Sequence, residues 1–129
     1  MDDVSSIKFD YQILRQPNKQ SKNVFEYAAF LCITYENKKF LTIDDVCIVD
    51  FIYKLSQYNL NLNIYEFIPI DSKDKVLIFK KIDSEKIEIT SDWTNNIIVV
   101  KQDELLCSIK LLKLKFEKDT KVNINKYYE

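Results

Sequence analysis

The sequence predicts a single α+β domain in which an antiparallel sheet of six to seven strands packs two helices on one face (β-β-β-α-β-β-β-β-α). Two segments, at about 44–58 and 103–118, carry apolar residues at helical spacing. Elsewhere apolar and polar residues alternate with period two, which is typical of half-buried strands. The chain has 129 residues, of which 47% are hydrophobic, enough for one domain with its own core. We therefore treat 1–129 as one domain, with 119–129 either a frayed tail or a short strand.

Short alternating segments separated by polar turns define the predicted strands. In the first segment Ile7, Phe9 and Tyr11 alternate with polar residues. The segment 25–35 is apolar on both faces, so we expect it in the middle of the sheet, covered on both sides. The predicted strands span about 5–14, 25–35, 39–42, 62–68, 76–82, 87–93 and 97–100. The predicted turns and loops are 15–23, Asn37-Lys38, 71–74, 83–86 and 94–96.

Polar residues at the helix starts predict how the two helices begin. Asp44 or Thr42 can cap the first helix, and Asp45 suits the positive end of its dipole. Asp103 is the predicted cap of the second helix. Lysines are concentrated in the later half of that helix, where we interpret them as a solvent-exposed face. The alternative is a basic stripe that binds RNA or lipid.

Two residue types are missing, and their absence excludes most activities. The chain has no histidine, which removes histidine-based triads, zinc sites and deaminase sites. It has no glycine either, which removes phosphate-binding loops and nucleophile elbows. The formal net charge of −1 argues against a general nucleic-acid binder. We predict no catalytic residue, no metal ligand, no cofactor and no nucleic-acid partner.

The cysteines and the apolar runs predict where the protein resides. Cys32, Cys47 and Cys107 are odd in number and form no C-x-x-C pair, so we expect three reduced, buried thiols. Such thiols suit a reducing cytoplasm. The first residues lack a secretory signal pattern, and the longest apolar run, 27–33, is too short to span a bilayer. We therefore predict a cytoplasmic protein with no membrane partner.

The first candidate binding cluster is Asp44, Asp45 and Asp50, around the start of the first predicted helix. Helix capping and solvation explain these carboxylates most simply. A surface for a partner is the functional alternative, and general acid–base work or metal binding is a third.

The second candidate cluster is Asp83, Glu85, Glu88, Asp92 and Trp93, on one turn and the strand after it. A tryptophan beside carboxylates is a common composition for an interface anchor. The strand alternation, however, places Trp93 on the face of Ile87 and Ile89 and favours a core position. Both interpretations stay open at this point.

The layout resembles a family of short bacterial proteins that we associate with the immunity proteins of polymorphic toxin systems. Ser91 with Trp93 is the most distinctive element of this resemblance. The positions that carry it are 7–11, 37–40, 49–51, Leu55, Asp74, 76–79, 87–91, Trp93 and 104–105. The resemblance implies a protein that binds and blocks a cognate toxin in the cytoplasm; the family carries no known catalytic residues to transfer.

The first functional hypothesis is therefore a non-enzymatic immunity protein whose partner is a cognate protein toxin, such as a basic nuclease. Carboxylates of either cluster would stand in for an anionic substrate, with Trp93 or a tyrosine as an apolar anchor. The alternative is a structural or oligomeric accessory domain that pairs through an exposed sheet face or edge. A carboxylate-only enzyme, such as a glycoside hydrolase or a metal-dependent nuclease, is the third. We expect a monomer or a weak homodimer.

Overall fold

Seven strands and two helices form an α+β fold in the predicted order, with the strands divided between two antiparallel sheets. The computed structural model describes residues 7–20, 23–59, 61–69 and 72–128, with the backbone alone for 127 and 128. The predictions for residues 5, 6, 21, 22, 71 and 129 lie outside this range. The strands are β1 Ile7–Arg15, β2 Ala28–Tyr35, β3 Lys38–Cys47, β4 Ile64–Phe67, β5 Leu77–Lys81, β6 Lys86–Ser91 and β7 Thr94–Lys101. The helices are α1 Ile48–Ser56 and α2 Gln102–Thr120, and Val24–Glu26 and Ile124–Tyr128 form short 3-10 turns.

The first sheet has the order β1-β2-β3 and the second the order β4-β5-β6-β7. The two sheets approach each other at β3 and β7. There the Tyr35 hydroxyl, at the end of β2, donates a hydrogen bond of 2.9 Å to the Val99 carbonyl. As predicted, β2 is the central strand of its sheet. Its Leu31 face is fully buried, but its Cys32 face is only half-buried, so the expected cover on both sides is incomplete.

The core lies where α1 and α2 pack against each other and against the strands. Phe51 of α1 is fully buried and contacts two other rings edge-on. Its ring centroid lies 6.4 Å from Phe9 on β1 and 4.9 Å from Phe67 on β4. Because these two strands belong to different sheets, Phe51 joins the two halves of the core.

The boundary between β3 and α1 corrects the predicted helix start. Strand β3 continues to pair with β2 as far as Cys47, with Ile43 opposite Leu31, Val46 opposite Ala29 and Cys47 opposite Ala28. The helix therefore begins at Ile48, and Cys47 is its N-cap without a side-chain capping hydrogen bond to the helix. Thr42, Asp44 and Asp45 lie on β3, so the prediction that Asp44 or Thr42 caps the helix and that Asp45 lies at its positive end is wrong. The spacing of the two aspartates to Val49 fits a helix, but they lie in a register shift of β3, between Ile43 opposite Leu31 and Val46 opposite Ala29.

The other differences concern turns and segment ends. The β2–β3 turn lies at Glu36-Asn37, and the β6–β7 turn lies at Asp92-Trp93 rather than at 94–96. The N-cap of α2 is Lys101 with no side-chain hydrogen bond, so Asp103 does not cap this helix but lies in its first turn. After α2 the chain is neither frayed nor a strand at Ile124, which is fully buried within a 3-10 turn.

The cysteines are more exposed than predicted. Cys32 and Cys47 are half-buried, whereas Cys107 lies exposed on α2. Their apolar sequence neighbours occupy the core positions, which directs these thiols toward the outer faces of their elements. No helix in the described part of the chain is long and apolar enough to cross a bilayer.

Candidate functional site

An open groove of about 530 Å³ lies where the end of β3 and the start of α1 meet two loops from the second sheet. We call it the acidic groove. Its lining residues are Phe25, Ile43, Asp45, Val46, Cys47, Asp50, Pro69, Ser72 and Trp93. A second concavity, of about 710 Å³, continues from it past Phe25, Asp45 and Cys47 to Arg15 and Gln16. The groove therefore draws residues from both sheets and from α1.

Trp93 stands at one side of the acidic groove with 43% of its surface exposed. It belongs to the β6–β7 turn, just beyond the end of the strand, so the core position suggested by strand alternation is wrong. Its indole N–H donates a 2.7 Å hydrogen bond to the Asp74 carboxylate, and its backbone N–H donates to the Ser91 hydroxyl at 3.0 Å. These two bonds fix the orientation of an exposed aromatic ring.

Asp92 holds the loop beside Trp93 in place. Its backbone N–H donates to the Lys75 carbonyl at 2.9 Å, and its carboxylate accepts from the Lys75 N–H at 2.8 Å. The predicted binding residue Asp92 therefore has a structural contact that joins the turn to the segment before β5.

Phe25 provides a second exposed ring, with 39% of its surface accessible. It lies in the 3-10 turn before β2, where the Asn23 side chain accepts a 3.1 Å hydrogen bond from the Phe25 N–H. The Cys47 thiol donates to the Phe25 carbonyl at 3.5 Å. Burial raises the pKa of the Cys47 thiol, so this group is a neutral thiol at pH 7.

The two carboxylates in the groove each have a basic partner but differ in their exposure to solvent. Asp45 accepts two hydrogen bonds, of 2.7 and 2.9 Å, from one nitrogen of Arg15, and both side chains are more than half exposed. Asp50 is only 5% exposed and lies 3.2 Å from the ammonium of Lys54 one helical turn later. Lys54 is held further by the Ile68 carbonyl at 3.2 Å and by the Phe67 ring. The groove thus contains a solvated ion pair and a largely buried one.

The structure unites part of the predicted site. Asp45, Asp50 and Trp93, from two separate predicted clusters, line the same groove. Asp44 is exposed on β3 beside Asp45 but is not part of the lining.

Glu85 and Glu88 do not join the groove. Glu85 lies at the opposite end of β6 from Trp93, in a small hollow with Lys101 and Asp103. Glu88 is half-buried in mid-strand, directly opposite Lys80 of β5.

Phe25 and Arg15 were not predicted as site residues. Phe25 was assigned to a strand because the following residues are apolar. Arg15 is the only arginine in a chain rich in lysine. Because a guanidinium binds a carboxylate through a rigid fork, an isolated arginine is a signal that could have drawn attention to this position.

The ionisable side chains that line the groove are either paired or neutral, since each carboxylate has its own basic partner and the thiol is neutral. Within the described residues, no group of three or more Cys, Asp or Glu side chains is arranged to hold a metal ion. Comparison with protein-family models, curated proteins and solved structures finds no match to this chain.

Proposed function

We propose that this chain is an immunity protein that binds a basic cognate toxin through the acidic groove and occludes the toxin's active site. The observation that carries the proposal is the pairing of two exposed aromatic rings, Phe25 and Trp93, around a concavity that contains Asp45 and Asp50. The resemblance of the sequence to immunity proteins agrees with this function.

The aromatic rings suit a protein partner. Tryptophan is among the residues that most often dominate binding energy, particularly when it lies near the centre of an interface. Trp93 is already oriented by Asp74 and Ser91, so little conformational entropy is lost when a partner covers it.

The charge around the groove selects the sign of the partner. Asp44 lies beside the lining, and Asp74 is hydrogen-bonded to the Trp93 indole. Asp74, and Asp45 with its exposed partner Arg15, present carboxylates at the surface that a partner would approach. A nuclease cleft carries lysines and arginines for phosphates, and carboxylates of this kind can occupy the same positions. A basic toxin is therefore the partner that fits best.

A cytoplasmic location is part of the same proposal. An immunity protein must meet its toxin where the toxin's substrate is, and for a nuclease that is the cell interior. The three free cysteines are compatible with a reducing compartment.

The test uses the purified protein encoded by the gene adjacent to that of this chain. We expect it to bind the wild-type chain and to lose its activity on a nucleic-acid substrate in the complex. Trp93→Ala should raise the dissociation constant by about thirtyfold or more, since a central anchor contributes on the order of 2 kcal/mol. Asp45→Asn should weaken binding and reduce its dependence on salt.

Two matched variants outside the groove serve as controls. Ile97→Ala removes an exposed apolar side chain from β7, and Glu85→Gln removes one carboxylate at the far end of β6. Both should bind within about twofold of wild type. Urea unfolding of each variant verifies the fold. Wild-type affinity in Trp93→Ala would contradict the proposed binding surface.

A further inference from the structure

Among the described residues no second strand covers the outer edge of β1, although α2 reaches it at Ile7, whose carbonyl accepts from the Ser108 hydroxyl. In the described part of the chain, β1 has one neighbouring strand, β2, and it runs for nine residues. A strand paired on one side leaves the N–H and C=O groups of alternate residues facing outward. Of the other sheet edges described, β4 is only four residues long, and β3 and β7 lie against each other. β1 is therefore the edge best suited to pairing with a further chain.

The charges on the exposed face of β1 are self-complementary. Lys8 and Asp10 are both exposed and lie on the same face of the strand. If a second copy runs antiparallel about a two-fold axis at Phe9, Lys8 lies opposite Asp10 of that copy, and Asp10 lies opposite its Lys8. Directly opposite residues have Cβ atoms about 4.5–5.5 Å apart, within reach of an ion pair. Protected edges normally carry charges that repel a second strand, and this one does not.

An apolar hollow of about 270 Å³ runs along the same edge. It lies between β1 and α2 and is lined by 7–10, Ser108, Leu111, Leu112 and Lys115. The Leu111 side chain is 55% exposed there, which leaves apolar surface that a second strand would cover. The Ser108 hydroxyl donates a 2.6 Å hydrogen bond to the Ile7 carbonyl and fixes α2 against the start of β1.

We propose that two copies of this chain form a symmetric dimer through their β1 edges, joining two three-stranded sheets into one sheet of six. Two Lys8–Asp10 ion pairs on either side of Phe9 set the register. The pairing goes beyond the proposed toxin binding and uses a different surface. Arg15, at the near end of the acidic groove, lies about 20 Å along the strand from Phe9, so the groove stays open in the dimer.

The test measures self-association by sedimentation equilibrium at protein concentrations from about 1 μM to 1 mM. We expect wild type to dimerise within this range. Lys8→Asp makes positions 8 and 10 both acidic and Asp10→Lys makes them both basic, so each variant alone should raise the dimer dissociation constant by about tenfold or more. An equimolar mixture of the two should form a heterodimer at wild-type affinity, because each copy then supplies the charges that the other lacks.

The mixing result separates a charge-specified interface from a folding defect. The doubly exchanged variant, with Lys8→Asp and Asp10→Lys together, should dimerise like wild type, and Lys19→Asp in the following loop is the control for altered net charge. A wild-type chain that stays monomeric at 1 mM overturns the proposal. So does a mixture that associates no better than its components. Neither result bears on toxin binding, which is measured through Trp93 and Asp45.

Discussion

Asp50 is a carboxylate buried at the start of α1, and its surroundings explain how the fold tolerates it. Lys54 supplies a positive charge at 3.2 Å, and Asp50 also benefits from the positive end of the helix dipole. Tyr65 lies close enough for Asp50 to influence its titration, and its hydroxyl donates to the Lys54 carbonyl. The buried Asp50 carboxylate therefore both pairs with Lys54 and affects the titration of Tyr65.

Tyr65 should make the protein sensitive to alkaline pH. Burial, with the negative charge of Asp50, raises the pKa of Tyr65 from 10.0 to about 12. The unfolded chain loses this proton near pH 10 while the folded chain retains it, so the stability that this group contributes is full below pH 10 and is lost as the pH rises toward 12. The free energy of unfolding should therefore fall between pH 10 and 12, and Tyr65→Phe should make this fall shallower.

Urea unfolding of wild type and of Tyr65→Phe at pH 8 and pH 11 measures the loss of stability at alkaline pH. The difference in unfolding free energy between the two proteins at pH 8 gives the cost of the packing lost in the variant. Equal losses in wild type and Tyr65→Phe would show that Tyr65 does not contribute to the alkaline transition.

Residue types were enough to find three of the nine residues that line the groove. Carboxylates and a lone tryptophan indicated Asp45, Asp50 and Trp93, because such side chains stand out against an apolar background. Glu85 and Glu88 look the same in sequence yet lie elsewhere, since only the fold decides which ends of strands meet. Phe25 was not identified because its exposure depends on a 3-10 turn that Asn23 begins.

The β2–β3 turn shows how a chain without glycine forms a tight hairpin. Tyr35 pairs with Lys38, and the two residues between them, Glu36 and Asn37, have φ values of 50° and 67°. Two-residue hairpin turns of this kind favour Asn followed by Gly, and a glutamate in the left-handed region is strained. The structure places this turn one residue earlier than the predicted Asn37-Lys38, because Lys38 already belongs to β3 and pairs with Tyr35.

Glu36→Asn combined with Asn37→Gly should stabilise the protein. Both new residues adopt positive φ more readily than the residues they replace, so the free energy of unfolding should rise by about 1 kcal/mol. Equilibrium urea denaturation measures it. Asn95→Gly, the same type of change in the extended β7, is the control and should destabilise. A double variant less stable than wild type would contradict this account of the turn.

The start of α1 could not be predicted from local pattern. The helical spacing of Val46, Val49 and Leu55 is real, but Val46 also serves a strand position opposite Ala29. Apolar residues near a strand–helix junction can fit both the two-residue period of a strand and the 3.6-residue period of a helix. Pairing with β2, a tertiary contact, decides the boundary. The hairpin from β5 to β6 was easier, because its turn at 82–85 forms locally through the Asp83 side chain, close to the predicted 83–86.

The whole molecule depends on α1 to join two sheets. Sequence patterns predicted the class and the order of elements but not the division into three and four strands, because the number of sheets depends on which distant edges pair. Phe51 contacts Phe9 in one sheet and Phe67 in the other, while Tyr35 bonds across the β3–β7 approach. The two sheets therefore share one core rather than forming independent halves.

Phe51→Ala should destabilise the whole fold. Removing a fully buried ring leaves a cavity between the sheets and should lower the free energy of unfolding by about 3–5 kcal/mol. Hydrogen exchange of amides in β2 and in β6 should accelerate together, since both sheets lose the same contact. Leu114→Ala, on the exposed face of α2, is the control and should cost less than about 0.5 kcal/mol. Exchange that accelerates in one sheet alone would show that the halves are independent.

The position of the single tryptophan gives the protein a natural optical reporter. Trp93 lies at the proposed binding groove, and its indole N–H is bonded to Asp74. Indole emission depends on contact with water, so occupation of the groove should shift the fluorescence of Trp93 to shorter wavelength. This chain contains no other indole that would obscure the signal. Titration of an unlabelled chain with a candidate toxin can therefore follow complex formation in real time at the very ring that is proposed to anchor it.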